Sequence, residues 1–192
     1  MTPRVLPAGD SAALLEVGDN AAAVALARAL RMRGDFVDVV PGHRTVLVTW
    51  DGERPPLDLD DAPVEEADGR LVEIPVVYDG ADLAEIARLT GLDDVVELHA
   101  APEYTVAFVG FAPGFAYLLG GDERLRVPRL EVPRERVPAG SVAIAGPYSG
   151  IYPRDSPGGW RLLGRTELAL FDAALEPPAL LAPGDHVRFV PQ

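Results

Sequence analysis

The stretch Gly150-Ile151-Tyr152-Pro153-Arg154-Asp155-Ser156-Pro157-Gly158-Gly159-Trp160-Arg161-Leu162-Leu163-Gly164-Arg165-Thr166 stands apart in this 192-residue chain. It holds two prolines, four glycines, three arginines, an Asp-Ser pair and a tryptophan. A core strand requires apolar side chains and an unbroken row of N–H donors. On that ground the segment reads as a shaped polar surface and as the first candidate for a functional site. Arg154, Arg161 and Arg165 surround the Asp-Ser-Pro-Gly-Gly-Trp element. A guanidinium holds a carboxylate or phosphate bidentately, and Trp160 supplies an apolar wall; the alternative is a core tryptophan with solvated arginines. Asp155 and Ser156 are either a metal or proton-transfer pair, or an Asx-type turn closed on its own backbone.

Two more glycine-rich segments lie upstream, Gly110-Phe111-Ala112-Pro113-Gly114-Phe115-Ala116-Tyr117-Leu118-Leu119-Gly120-Gly121 and Ala139-Gly140-Ser141-Val142-Ala143-Ile144-Ala145-Gly146. Glycine lets backbone N–H groups approach an anion closely, and each segment reads equally as a barrel turn. Neither GxGxxG nor a Walker A pattern is present. Phe108, Phe111, Phe115 and Tyr117, following Glu103-Tyr104, concentrate aromatic surface beside Gly and Pro. Such a cluster lines a ligand groove or a partner interface, with core packing the simpler account of Phe108.

Composition removes several chemistries. Cysteine is absent, so disulfides, thiol nucleophiles and thiolate metal sites are excluded. All 17 basic residues are arginine, which excludes a P-loop lysine, a Schiff base and a Ser-Lys arrangement within this chain. Residues 1–100 carry 20 acids against 8 arginines, and residues 101–192 carry 10 against 9. The first half repels polyanions, so no nucleic-acid partner is expected, and an anionic small ligand belongs with the second half. No apolar run is long enough to span a bilayer and the N-terminus has no apolar signal region; no membrane association and a cytoplasmic location are the expectation.

Of three histidines, His43 reads as a surface turn residue and His186 as the structural start of a last strand. His99 ends a helix just before the first glycine-rich element. It is a proton-transfer candidate, or a cation placed favourably at a helix C-terminus. No His/Glu spacing suggests a zinc site.

Along the chain, Ala12–Val17 reads as a strand, Asp19-Asn20 caps a helix to Arg33 ended by Gly34, and Phe36–Val40 and Val46–Trp50 are strands joined by Pro41-Gly42. The acidic stretch 51–69 reads as a loop. Leu71–Tyr78 is strand-like, and short helices follow over Asp82–Thr90 and Asp93–His99, separated by Gly91. Their acidic surface excludes a DNA-reading helix pair. From Glu103 onward the pattern is all-β, with strands over Tyr104–Val109, Ser141–Ala145, Leu162–Thr166, Ala169–Phe171 and His186–Val190, which indicates a barrel or sandwich.

Leu98-His99, Tyr104 through Leu118, Val137 through Val142, and Ile151-Tyr152-Pro153 through Arg165-Thr166 are together similar to the family of the B component of 5-oxoprolinase, also called KipI or allophanate hydrolase subunit 1. The resemblance implies an α+β chain: a small N-terminal α/β sandwich-like domain over residues 1–80, then a cyclophilin-like β-barrel over 81–192 with its leading helices. It implies one member of a multi-subunit, ATP-dependent 5-oxoprolinase that opens the lactam of 5-oxoproline to glutamate, together with a paralogous C component and an A component. ATP with Mg is the implied co-substrate, with no tightly bound cofactor and no resident metal. The implied catalytic residues are His99, Asp155, Ser156 and Arg165. Substrate or nucleotide binding falls to Gly110, Phe111, Pro113, Gly114, Tyr117, Pro157, Gly158, Gly159, Trp160 and Arg161. The alternative reading is a protein-binding inhibitor of a sensor histidine kinase; prolyl isomerase activity is the weakest, since fold does not carry function. An amidase-signature hydrolase, which uses a lysine with two serines, is excluded for this chain alone.

Overall fold

The computed structural model describes residues 3–57 and 69–192. Its contacts divide the chain into two compact units, with the boundary after Asp68. The sequence reading draws that boundary at residue 80. The difference lies in the strand over residues 71–76, whose hydrogen-bond partner is the C-terminal strand of the second unit.

The first unit contains β1 (Arg4–Pro7), β2 (Ala12–Glu16), α1 (Asn20–Arg33), β3 (Asp38–Pro41) and β4 (Thr45–Thr49). The strands form an antiparallel sheet in the order β1-β2-β4-β3. Alternation sends Ala13, Leu15, Val39, Val46 and Val48 to one face, where they meet Leu26 and Leu30 of α1. Ala23 and Ala27 are fully buried, and their small side chains let the helix sit close to the sheet. Asp19 caps α1 by accepting the Ala22 N–H at 2.9 Å, and Gly34 closes it in the left-handed conformation. The sequence reading anticipates β2, α1 with its cap and Gly34 end, β3 and β4; it does not anticipate the sheet order or β1, an edge strand that begins beside Pro3 and ends at Pro7, positions where a missing N–H is tolerated.

The second unit begins with β5 (Leu71–Val76), α2 (Leu83–Thr90), α3 (Val95–Ala100), β6 (Tyr104–Val109) and β7 (Ala116–Leu119). It continues with a 3-10 turn (Glu123–Leu125), β8 (Arg134–Val137), β9 (Ser141–Ala145), β10 (Tyr148–Ile151), β11 (Ser156–Gly158), β12 (Arg161–Arg165) and β13 (His186–Pro191). Seven strands form one sheet in the order β12-β9-β10-β7-β6-β13-β5, and β11 with β8 form a separate two-stranded ribbon. The two edges of the large sheet meet, because Val77 and Arg165 exchange backbone hydrogen bonds at 2.9 Å in both directions. The seam runs on through Gly80 N–H to Leu163 C=O and Asp82 N–H to Leu162 C=O. Curling the sheet on itself removes both exposed edges. Ile74, Val76, Val106, Leu118, Val142, Ile151, Val187 and Phe189 fill the interior.

Glycine makes the seam possible. A side chain at Gly164 would strike the Val77 carbonyl and the Tyr78 backbone, so only a residue without Cβ fits. Asp82 then locks it. Only 4% exposed, its Oδ2 accepts the Leu162 N–H at 2.7 Å and its Oδ1 pairs with the Arg134 guanidinium at 2.6 Å.

The expected polar surface over residues 150–166 is corrected by these strands. The segment carries the end of β10, all of β11 and all of β12, and Ile151, Tyr152, Trp160, Leu162 and Leu163 are buried. Its glycines serve close backbone approach and its prolines fall outside the seven-stranded sheet. The strand expected over Ala169–Phe171 is absent; Phe171 makes one isolated bridge to Ala179. β7, β8, β10 and β11 were not anticipated, since glycine, proline and arginine masked their alternation. Of the acidic loop 51–69, residues 58–68 lie outside the described residues, and the remainder holds no helix or strand. No helix among the described residues is long and apolar enough to cross a membrane.

Replacing Asp82 by Ala strands the buried Leu162 N–H and the Arg134 charge. The expected loss is about 3 kcal/mol of unfolding free energy, measured as a lower urea midpoint at unchanged slope. A shift below about 0.5 kcal/mol would show that the seam does not depend on this carboxylate.

Candidate functional site

The strands of the barrel present a second, outward face. In β7, Ala116 and Leu118 point into the barrel, whereas Phe115 and Tyr117 belong to an outer cluster with Tyr152, Trp160 and Leu162. The rings meet mainly edge to face: Phe115 lies 5.4 Å from both Tyr152 and Trp160, and Tyr117 lies 5.5 Å from Trp160. Phe108 stacks on Tyr117 at 4.4 Å, and Tyr148 closes the row 5.4 Å from Tyr117. Such pairs add about 0.5–1.5 kcal/mol each beyond area burial. Phe108, Tyr117 and Tyr148 stay half-buried, so the cluster ends in an accessible aromatic surface.

The loop between β6 and β7 rims this face. Phe111 is 61% exposed and sits at φ +67°, a left-handed conformation that a bulky residue rarely adopts. Its ring still touches Phe115 at 5.3 Å. On the opposite rim, Gly158 packs where any side chain would strike the Tyr152 ring. Gly159 accepts the Leu130 N–H at 2.8 Å, and a Cβ there would lie 3.6 Å from the Arg129 guanidinium.

Arg129 escaped the sequence reading because it stands alone in a stretch without motif. Its charge acts on Tyr117 and Tyr152, opposing the rise that burial imposes on both phenols. It has no ion pair with a carboxylate among the described residues, whereas Arg134, Arg161 and Arg165 are all paired. A cation without an anion beside an aromatic floor is suited to a ligand carboxylate.

The predicted binding residues largely converge here: Phe111, Tyr117, Gly158, Gly159 and Trp160 border one face, with Gly110, Pro113 and Gly114 in the rim loop and Pro157 exposed on the ribbon. Arg161 faces elsewhere. It is buried, pairs with Glu85 at 2.7 Å and donates to the Pro128 carbonyl at 2.9 Å, tying α2 to β12. The four predicted catalytic residues are not brought together. Arg165 pairs with Asp79 at 2.9 Å and Glu167 at 3.1 Å beside the seam. Asp155 accepts the Ala139 N–H at 2.9 Å and pairs with Arg136, and these contacts hold its carboxyl below the usual range. Ser156 Oγ is buried without a hydrogen-bond partner among the described residues.

His99 stands in the last turn of α3, fully buried and stacked 4.5 Å from Phe189. Its Nδ1 is 2.8 Å from the Tyr78 hydroxyl and its Nε2 is 2.8 Å from Ser149 Oγ. One assignment satisfies every donor: Tyr78 O–H donates to Nδ1, Nε2–H donates to Ser149, and Ser149 donates to the Ala143 carbonyl at 3.4 Å. Desolvation lowers the imidazole pKa from 6.5 to about 3. His99 is therefore neutral at pH 7, which overturns its reading as a helix-terminal cation. Among the described residues no group of three acids or histidines could hold a metal ion.

This β-rich barrel with an aromatic outer face defines a class. The chain belongs to the carboxyltransferase domain, subdomain C and D, family, whose pattern matches residues 3–181. Its relatives include proteins named as the B component of 5-oxoprolinase. That of Haemophilus influenzae is 41% identical over 179 residues, covering 86% of this chain and 84% of the relative. That of Escherichia coli O157:H7 is 56% identical over 132 residues, covering 66% of this chain and 61% of the relative. The crystal structure of TTHA0988 superposes with a TM-score of 0.81 at 40% identity, over 95% of this chain and 40% of that one. The chain thus spans about three fifths of the Escherichia coli relative. The α+β class and the barrel expected from the resemblance are what these matches and the seven-stranded sheet give.

The His99 geometry fixes a pH dependence. The folded pKa lies below the unfolded value, so the unfolded chain takes up a proton between pH 6.5 and 3 that the folded chain refuses. Stability from this group is complete above pH 6.5 and falls by up to about 1.4 kcal/mol per pH unit below it. The wild type should lose stability more steeply than His99→Gln between pH 6.5 and 4, as chemical unfolding would record; parallel curves would mean that His99 is protonated in the fold.

Proposed function

We propose that this chain is one component of an ATP-dependent 5-oxoprolinase that acts with two others, the paralogous C component and the A component. The carrying observation is the 41% identity shared across 84% of a relative named as the B component of that enzyme. The reaction consumes two waters: in net terms one adds its oxygen to the lactam carbonyl carbon as the C–N bond breaks and the nitrogen becomes the glutamate ammonium, and the other is taken up as ATP becomes ADP and phosphate. In this reading the chain binds substrate. The Arg129 guanidinium takes the 5-oxoproline carboxylate, and Tyr117, Tyr148 and Trp160 floor the apolar ring. His99 positions β10 through Ser149 and takes no proton at neutral pH.

The residues do not fit a nucleotide. In the rim loop the N–H groups of Gly110, Ala112 and Phe115 are already given to loop carbonyls, and Pro113 has none. A triphosphate cradle uses many converging amides and normally a lysine. No step of nucleotide or magnesium chemistry is assigned to this chain, and both are left to its partners.

The second reading, a protein-binding inhibitor of a sensor kinase, is favoured by one observation. Phe111 is 61% exposed on a left-handed backbone, which is how a hydrophobic anchor would be presented.

The test is ADP and glutamate release from 5-oxoproline and Mg-ATP by this chain mixed with its candidate A and C components. Arg129→Ala should lower kcat/KM for 5-oxoproline about 100-fold, with folding and assembly intact. Turnover unaffected by omitting this chain would sink the enzyme reading. Kinase binding lost on Phe111→Ser and kept on Arg129→Ala would establish the second.

A further inference from the structure

An open pocket of about 200 Å³ lies where Arg70, next to the start of β5, meets the segment between β12 and β13. Arg70, Asp172, Leu175, Pro177, Pro178 and Leu180 are among its lining residues. Its size is well beyond what one trapped water occupies. The walls are apolar apart from one guanidinium and one carboxylate.

Arg70 is held in place before any ligand arrives. One of its terminal nitrogens, NH2, donates to Asp185 Oδ2 at 2.9 Å and to the Leu180 carbonyl at 3.0 Å. Asp185 is itself buried and fixed by the Arg70 and Ala182 backbone N–H groups. The remaining guanidinium donors have no acceptor among the described residues, and 60% of the side chain is exposed. An arginine anchored at one nitrogen keeps a pre-oriented edge for a carboxylate, with little rotamer entropy left to lose. Asp172 is likewise steadied by the Ala174 N–H at 2.9 Å, which leaves carboxylate capacity for a cation.

We infer that this cavity is a binding site for a small zwitterionic amino acid with an apolar side chain. The carboxylate meets Arg70, the ammonium meets Asp172, and the side chain lies against Leu175, Pro177, Pro178 and Leu180. An anion without an amine faces the Asp172 charge uncompensated, and an amine without a carboxylate faces Arg70. The site shares no residue with the aromatic face, so it stands or falls independently of the 5-oxoprolinase reading.

Isothermal titration of the full chain with L-leucine, 4-methylpentanoate and isoamylamine tests this. L-leucine should bind saturably, and each analogue about tenfold or more weakly, the cost of leaving one charged group unmet. Arg70→Gln should weaken L-leucine about tenfold, and Ala179→Phe, which fills the cavity and leaves Arg70 in place, should abolish binding; thermal melts verify that both variants fold. Absence of saturable L-leucine binding, equal affinity for 4-methylpentanoate, or unchanged binding in folded Ala179→Phe would each overturn the proposal.

Discussion

Closure of the barrel along residues 77–82 and β12 is the constraint on which the second unit depends. Seven strands would otherwise leave two unpaired edges, and the Val77–Arg165 hydrogen-bond pair joins them. The join requires a backbone approach that leaves no room for a Cβ at Gly164 or Gly80, and a buried acceptor to tie α2 to the seam, which is Asp82. Arg134 reaches the same carboxylate, and its NH1 lies 3.4 Å from the Trp160 carbonyl. One buried ion pair therefore fixes the ribbon of β8 and β11 against the strand that begins just after Trp160. A paired charge of this kind adds little net stability over an apolar substitute and is costly to break, so its effect is to specify where the elements meet.

That placement gives the sheet two working faces. Inside, aliphatic side chains and Phe189 fill the barrel and surround His99, which burial keeps neutral. Outside, aromatic rings pack edge to face and finish at a half-open surface beside an arginine without a carboxylate partner among the described residues. The two faces share β7 and β10 through simple alternation: Leu118 and Ser149 turn inward, and Tyr117 and Tyr148 turn outward. A change that slips either strand by one residue would exchange their roles.

The aromatic face was largely legible in the sequence because its residues cluster beside glycine and proline. Phe111, Tyr117, Gly158, Gly159 and Trp160 do border one surface. Arg129 was not legible, since an arginine signals nothing until its partners are known, and most arginines here are paired. His99, Asp155, Ser156 and Arg165 share no neighbourhood. Three of them are accounted for locally: His99 by Tyr78 and Ser149, Asp155 by Ala139 and Arg136, Arg165 by Asp79 and Glu167.

The sequence by itself determined the first unit almost entirely, because its signals are short in range. The Asp19 cap, the alanine-rich helix to Gly34 and the alternating strands Ala12–Glu16 and Thr45–Thr49 each read from neighbours a few residues away. It also determined what chemistry is impossible, for a chain without lysine or cysteine cannot use either. Only the tertiary structure decided that Ile151, Tyr152 and Trp160 are buried, that β5 pairs with β13, and which of the arginines are tied up in ion pairs. Those outcomes rest on contacts between positions as far apart as Arg70 and Asp185, where hydrogen bonding and burial override local propensity.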